Sequence, residues 1–172
     1  RVLVKIVGMN EFYTSLFHFL GIEETRIIDL DRTKKFRNVF VPEISYLPSN
    51  YIAREFLWPF EEVIKNVNLD KPIYEKIYLS RLHFSRGKRE FGEKSVQKIF
   101  EMNGYYIIYP EETPFEEQVW YYKNCNLMVT SDGTIEHNIL FAKKGTKLVV
   151  LNQLSKGKMH QGAINTIKNV EA

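Results

Sequence analysis

Leu127-Met128-Val129-Thr130-Ser131-Asp132-Gly133-Thr134 is a short run of apolar and β-branched residues that ends in a small polar turn. Residues of that kind suit a strand buried on both faces, and the stretch after the turn, 135–143, has helical spacing. The same alternation recurs outward in both directions. Strand-like runs at 76–79, 105–109 and 148–151 are separated by helix-like stretches at 92–103 and 114–124. Strands alternating with helices predict an α/β chain with a parallel sheet. Right-handed crossovers then put helices on both faces, the Rossmann-like arrangement. The punctuation agrees. Asn103-Gly104, Asn124 and Gly145 stand at helix ends, where left-handed backbone is cheap. Pro114 stands where a first helical turn accepts it, with Thr113 before it as cap and Glu116 and Glu117 in the turn that favours negative charge. A last helix is expected over 162–170.

Upstream the pattern is looser. Strands are expected at 2–7, 26–30 and 39–41, and a helix over 10–20 with Asn10 as N-cap and Gly21 as terminator. A further helix is expected over 51–66, with Pro59 kinking it. The polar, turn-rich segment Asn66-Val67-Asn68-Leu69-Asp70-Lys71-Pro72 marks a boundary. Two regions follow: 1–70, a partial α/β region with a linker helix, and 71–172, a Rossmann-like domain.

Composition narrows the classes. With 172 residues, 44% hydrophobic and 26% charged, the chain is an ordinary globular one, neither disordered nor fibrous. Its 24 Lys and Arg against 21 Asp and Glu leave a net charge of +3, too little to imply nucleic acid or an acidic membrane through overall charge. A single cysteine, Cys125, forms no internal disulfide and has no neighbouring histidine to activate it. His18, His83, His137 and His160 are too scattered for zinc. Asp29-Leu30-Asp31 has the spacing of a carboxylate pair that holds Mg²⁺ or Mn²⁺, but Arg32, Lys34 and Lys35 follow directly, and a solvated turn is expected. Neither a metal nor a cofactor is called for. No apolar run reaches the roughly 18 residues that span a bilayer, and the stretch Arg1 to Ile6 lacks a signal-peptide pattern. The chain opens in strand-like sequence without Met, so sequence upstream of Arg1 is expected.

In an open parallel sheet, ligands bind outside the carboxyl ends of the strands, so the residues after each strand carry the chemistry. After Ile77-Tyr78-Leu79 comes Ser80-Arg81-Leu82-His83-Phe84-Ser85-Arg86-Gly87-Lys88-Arg89, and between Arg81 and Lys98 six basic residues face two acidic ones. Arginine forks such as Arg81, Arg86 and Arg89 grip phosphate oxygens, and a helix N-terminus near Gly92 adds N–H donors. A solvated basic loop is the alternative. After 127–130 the Ser131-Asp132-Gly133-Thr134 turn lets backbone amides approach an anion closely; a plain turn with Ser131 or Asp132 as N-cap is the alternative. The third exit, Tyr109-Pro110-Glu111-Glu112-Thr113, holds acids that suit a helix entry. No Gly-x-Gly-x-x-Gly or Walker-type phosphate loop is present.

In order, these elements resemble glycosyltransferase family 61. The carriers are Ile77-Tyr78-Leu79-Ser80-Arg81, Arg89 and Glu93 before a helix, Gly104-Tyr105, Pro110-Glu111, Phe115-Glu116-Glu117-Gln118, Ser131 through Asn138, Leu140-Phe141 and Lys144-Gly145. Upstream, Leu20-Gly21-Ile22, Arg26 to Asp31 and Val39-Phe40-Val41-Pro42 are similar to the region before that family's second domain. Two positions depart: the family's His-Gly is Asp132-Gly133 here, and its Asn-Glu is Gly92-Glu93. The resemblance implies a GT-B architecture with a truncated or minimal first domain. It also implies an inverting, metal-independent transferase that moves a sugar from a nucleotide-sugar donor to a saccharide acceptor in polysaccharide biosynthesis. Arg81, Arg86 and Arg89 would meet the donor diphosphate, Glu93 and Gln118 would hold the nucleoside or nearby loops, and Ser131, Gly133 and Thr134 would line the phosphate turn. The acceptor hydroxyl requires a general base, for which Asp132, Glu11 and His18 are the candidates. Such a protein is expected in the cytoplasm or peripheral to the inner face of the membrane, with no nucleic-acid partner. The rivals are a non-catalytic nucleotide or phosphosugar binder on the same fold, and a polysaccharide-interaction module.

Overall fold

A computed structural model describes residues 2–4, 11–30, 32–84, 92–151 and 159–170. In chain order its elements are β1 (Val2–Val4), α1 (Glu11–Phe19), β2 (Ile27–Asp29), β3 (Tyr46–Leu47), β4 (Tyr51–Ile52), α2 (Trp58–Asn66), β5 (Lys76–Leu79), α3 (Glu93–Met102), β6 (Tyr106–Ile108), α4 (Phe115–Asn124), β7 (Leu127–Ser131), β8 (Lys147–Leu151) and α5 (Met159–Lys168). β1 and β2 pair in parallel around α1, which Gly21 ends in the left-handed conformation at φ 71°. β3 and β4 form a short antiparallel hairpin.

The main sheet has four parallel strands in the order β6-β5-β7-β8. From β5 the chain winds outward to β6, then returns past β5 to β7 and continues to β8. The winding direction therefore reverses between β5 and β7, and at such a reversal the carboxyl ends of the strands open into a crevice. The pleat of β5 shows both covering layers. Tyr78 stacks on Phe100 of α3 with ring centroids 4.5 Å apart. Ile77 and Leu79 point the other way, into a core shared with Val63, Val119, Met128 and Leu148. Helices therefore flank the sheet on both faces.

Several elements differ from the sequence expectation. Residues 39–41 form no strand, and Phe40 is 95% exposed. The stretch 51–66 is not one kinked helix: β4 and a 3-10 turn (Arg54–Leu57) come first, and Pro59 lies in the first turn of α2, where its missing N–H costs nothing. Trp58, at its start, is 59% exposed. The helix expected over 135–143 is a 3-10 helix, Thr134–Phe141. Its buried residues are Glu136 at 3%, Ile139 at 0% and Leu140 at 5%, with Ala142 just beyond at 0%; Glu136, Ile139 and Ala142 stand three apart, the spacing at which 3-10 side chains eclipse. Thr113 does not cap α4; its hydroxyl donates back to the Tyr109 carbonyl at 2.9 Å. Neither Ser131 nor Asp132 is an N-cap, since Gly133 occupies that position. The last helix begins at Met159, earlier than the expected 162. The Asn10 cap lies outside the described residues.

Candidate functional site

The site is built first from strand and helix periodicity. Along β5, residues two apart share a face; along α3, residues four apart do. Tyr78 and Ser80 accordingly meet Glu93 and Gln97. Glu93 Oε1 accepts from the Tyr78 hydroxyl at 2.7 Å, the Ser80 hydroxyl at 3.1 Å and the Arg81 backbone N–H at 3.1 Å. Ser80 Oγ also lies 2.8 Å from Gln97 Oε1 and accepts from Leu82 N at 3.1 Å. Glu93 and Gln97 are 6% and 8% exposed, so this polar cluster is internal. Buried polar groups must find partners, and here they find one another. The result fixes the backbone where the chain leaves β5.

Arg81, the first residue beyond that anchor, reaches the exit of β7. Its Nη1 donates to the Asp132 carbonyl at 3.4 Å, and its guanidinium lies over the Phe84 ring, 4.8 Å from the centroid. Gly133 adopts φ 130° and ψ −168°, a region open essentially to glycine alone. A Cβ there would stand 3.2 Å from Arg81 Nη1, so the close approach of turn and guanidinium also depends on glycine. Ser131 Oγ is buried and has no hydrogen-bond partner among the described residues. Thr134 opens the 3-10 helix just after the turn. A cation, a glycine turn and a spare hydroxyl thus stand at the reversal point between β5 and β7, the chemistry an anionic group needs.

The neighbouring exit, of β6, is joined to this one by His83. Its ring stacks on Tyr109 with centroids 4.1 Å apart and 7° between planes, and its Nδ1 lies 2.8 Å from Glu112 Oε1. An ionised carboxylate only accepts, so Nδ1 carries the proton and Nε2 presents a lone pair in the neutral ring. Gln97 Nε2 donates to the Tyr109 hydroxyl at 2.7 Å, which connects this pair to the buried cluster. Glu112 also lines a cavity of ≈ 300 Å³ with Glu11, Glu111 and Gln118. Gln118 spends its amide on the protein: Nε2 donates to the Pro110 and Thr113 carbonyls, both at 2.7 Å, and Oε1 accepts from Tyr122 at 3.0 Å. It shapes the loop entering α4.

Of the residues singled out from sequence, Arg81, Glu93, Ser131, Asp132, Gly133 and Thr134 lie at the β5 and β7 exits. Glu11 and Gln118 line the cavity at the β6 exit. His18 lies at the other end of α1 in a separate cavity of ≈ 340 Å³. Arg86 and Arg89 are outside the described residues. Nothing in the sequence pattern singles out His83, Tyr109 and Glu112, since the acids after β6 have the composition of a helix entry. The available signal was positional: His83 and Tyr109 both follow strands that are neighbours in the sheet. A family model described as Glycosyltransferase 61 matches residues 9–149. No curated protein matches the chain.

Proposed function

We propose, from the premise that the chain belongs to glycosyltransferase family 61 and is a glycosyltransferase, that it transfers a sugar from a nucleotide-sugar donor to a saccharide acceptor with inversion and without a metal, in polysaccharide biosynthesis. The observation that carries this reading is the Arg81 guanidinium held against the Gly133 turn at the reversal point of the sheet. A diphosphate leaving group develops negative charge as its bond to the sugar breaks. A preorganised arginine and backbone donors stabilise that charge in place of a cation. On this reading Arg81, Ser131, Gly133 and Thr134, with Arg86 and Arg89, contact the donor, and Glu93 positions Arg81.

The displacement is a single in-line step. The acceptor oxygen forms its bond to the anomeric carbon while the bond to the diphosphate oxygen breaks, the electron pair leaving with the diphosphate. The acceptor proton must go to a base. His83 has the geometry for it, because Glu112 fixes its tautomer and leaves Nε2 as acceptor.

The test is calorimetric titration with UDP, GDP, CMP and TDP in EDTA, followed by transfer assays with the sugar conjugate of the nucleotide that binds. Arg81→Ala should weaken nucleotide binding by tenfold or more, at about 1.4 kcal/mol per tenfold. His83→Asn should keep that binding and lose roughly 10²- to 10⁴-fold in turnover. Equal binding by wild type and Arg81→Ala overturns the donor site. Binding without transfer by the wild type assigns the chain to a non-catalytic nucleotide-binding role.

A further inference from the structure

Between β2 and β3 the described residues form no regular structure, yet their composition is sharply divided. Arg32, Lys34, Lys35 and Arg37 come first and are all exposed. Then follow Val39, Phe40, Val41 and Ile44, which are 52%, 95%, 83% and 66% exposed. Single exposed apolar residues are ordinary; a cluster of them beside a cluster of cations marks an interaction surface. The hairpin anchors the base of this loop. The Tyr51 hydroxyl donates to the Ile44 carbonyl, and Ala53 N donates to the Ser45 carbonyl at 2.8 Å.

We propose that residues 32–44 form a membrane-docking loop, which seats Phe40, Val41 and Ile44 at the headgroup boundary of an anionic bilayer with the four cations over the lipid phosphates. Charge selects a bilayer over a protein partner. Protein interfaces deplete lysine at their centres, whereas an anionic leaflet attracts every Lys and Arg brought near it. The chain carries only +3 overall, so this loop, with Glu43 as its single acid, concentrates positive charge where the apolar side chains are. The backbone limits the depth of insertion. An irregular segment has N–H and C=O groups that hydrocarbon cannot satisfy, so side chains enter while the backbone stays in the hydrated interface. No helix among the described residues is long and apolar enough to cross a membrane, and the loop provides a peripheral attachment instead. It belongs to the β2–β3 connection and not to the strand exits of the main sheet, so the proposal does not depend on the donor-site reading.

Co-sedimentation of the purified chain with vesicles of phosphatidylcholine, alone or mixed with phosphatidylglycerol, tests it. Binding is expected to the mixed vesicles and should weaken as salt rises. Lys34→Gln with Lys35→Gln should lower the partition coefficient roughly tenfold, and Phe40→Ser with Val41→Ser by about as much or more. These positions are exposed, so an unchanged thermal midpoint confirms that each variant is folded. Equal binding to both vesicle types, or to neither, overturns the proposal. So does concentration-dependent self-association without lipid that Phe40→Ser abolishes, which would assign the loop to a second copy of the chain.

Discussion

Glu93→Ala is the substitution that tests most directly whether the β5 exit is preorganised. One carboxylate oxygen there serves the Tyr78 hydroxyl at 2.7 Å, the Ser80 hydroxyl at 3.1 Å and the Arg81 amide at 3.1 Å. Removing the carboxylate does not affect all three equally. Ser80 Oγ retains Gln97 Oε1 at 2.8 Å. The Tyr78 hydroxyl, on a side chain that is 0% exposed, loses this acceptor inside the protein, and the part-buried Arg81 amide loses it nearer the surface. A buried donor deprived of an acceptor costs about 1–3 kcal/mol, and the buried Tyr78 hydroxyl sets a loss of that order. Glu93→Gln keeps an oxygen in position and gives up only charge assistance, for roughly half that loss. Urea unfolding followed by tryptophan fluorescence measures both, and the nucleotide titration above should show weaker binding in the alanine variant as Arg81 loses its backbone anchor. A Glu93→Ala stability within about 0.5 kcal/mol of wild type would refute the reasoning, because that is the range of ordinary surface substitutions. So would a glutamine variant as unstable as the alanine one.

Two further outcomes follow from particular residues. Gly133→Ala should cost about 1–3 kcal/mol from its backbone conformation alone. It should also push Arg81 aside and weaken nucleotide binding, since the new Cβ would stand 3.2 Å from Nη1; combining it with Arg81→Ala should relieve the crowding but not the backbone cost, as thermal melts and titrations of the double mutant would show. Cys125 is 0% exposed, and burial pushes its thiol up to about 12 from an ordinary value near 9. Its contribution to stability is therefore complete below about pH 9 and is lost between there and about pH 12, where the unfolded thiol ionises and the folded one keeps its proton. The stability of Cys125→Ala should fall less steeply over that window than wild type, and native Cys125 should resist thiol reagents at pH 8 until the protein unfolds.

The parallel sheet was legible because its strands are buried on both faces. Ile77-Tyr78-Leu79 and Leu127 to Thr130 have no polar alternation to confuse with surface, and glycines and asparagines mark the helix ends between them. The 3-10 helix was not legible, since Ile135, Ile139 and Leu140 fit an α-helical pattern equally well and only the backbone decides the geometry. Val39 to Val41 have the composition of a strand, but no partner strand lies beside them among the described residues, and partners are a property of the fold rather than of the segment. At the site, Arg81 and Gly133 were legible from strand exits alone. The union of His83 with Glu112 was not, because 29 residues separate them and only the β6-β5 adjacency brings them together.

That adjacency also gives the proposed reaction a direction across the sheet. Arg81 lies on the β5 and β7 side, where, on the proposed function, a guanidinium would lower the energy of a departing diphosphate. Glu11, Glu111 and Glu112 line the cavity on the β6 side, where negative charge would oppose a diphosphate but stabilise an imidazolium. His83 stands between them, on the loop that begins with Arg81 and in contact with Glu112. On that proposal a proton arriving at Nε2 would be stabilised by the acids while the phosphate charge would be stabilised by the arginine, the two developing charges having opposite sign and separate sites. Reversing that division should be worse than removing it. His83→Asn leaves the cavity acidic and only slows transfer, whereas Glu112→Lys places a cation beside His83, disfavours its protonation and should bring turnover below that of Glu112→Gln, with nucleotide binding equal in the two variants. Equal turnover in Glu112→Lys and Glu112→Gln would show that the acids play no part in the proton's fate.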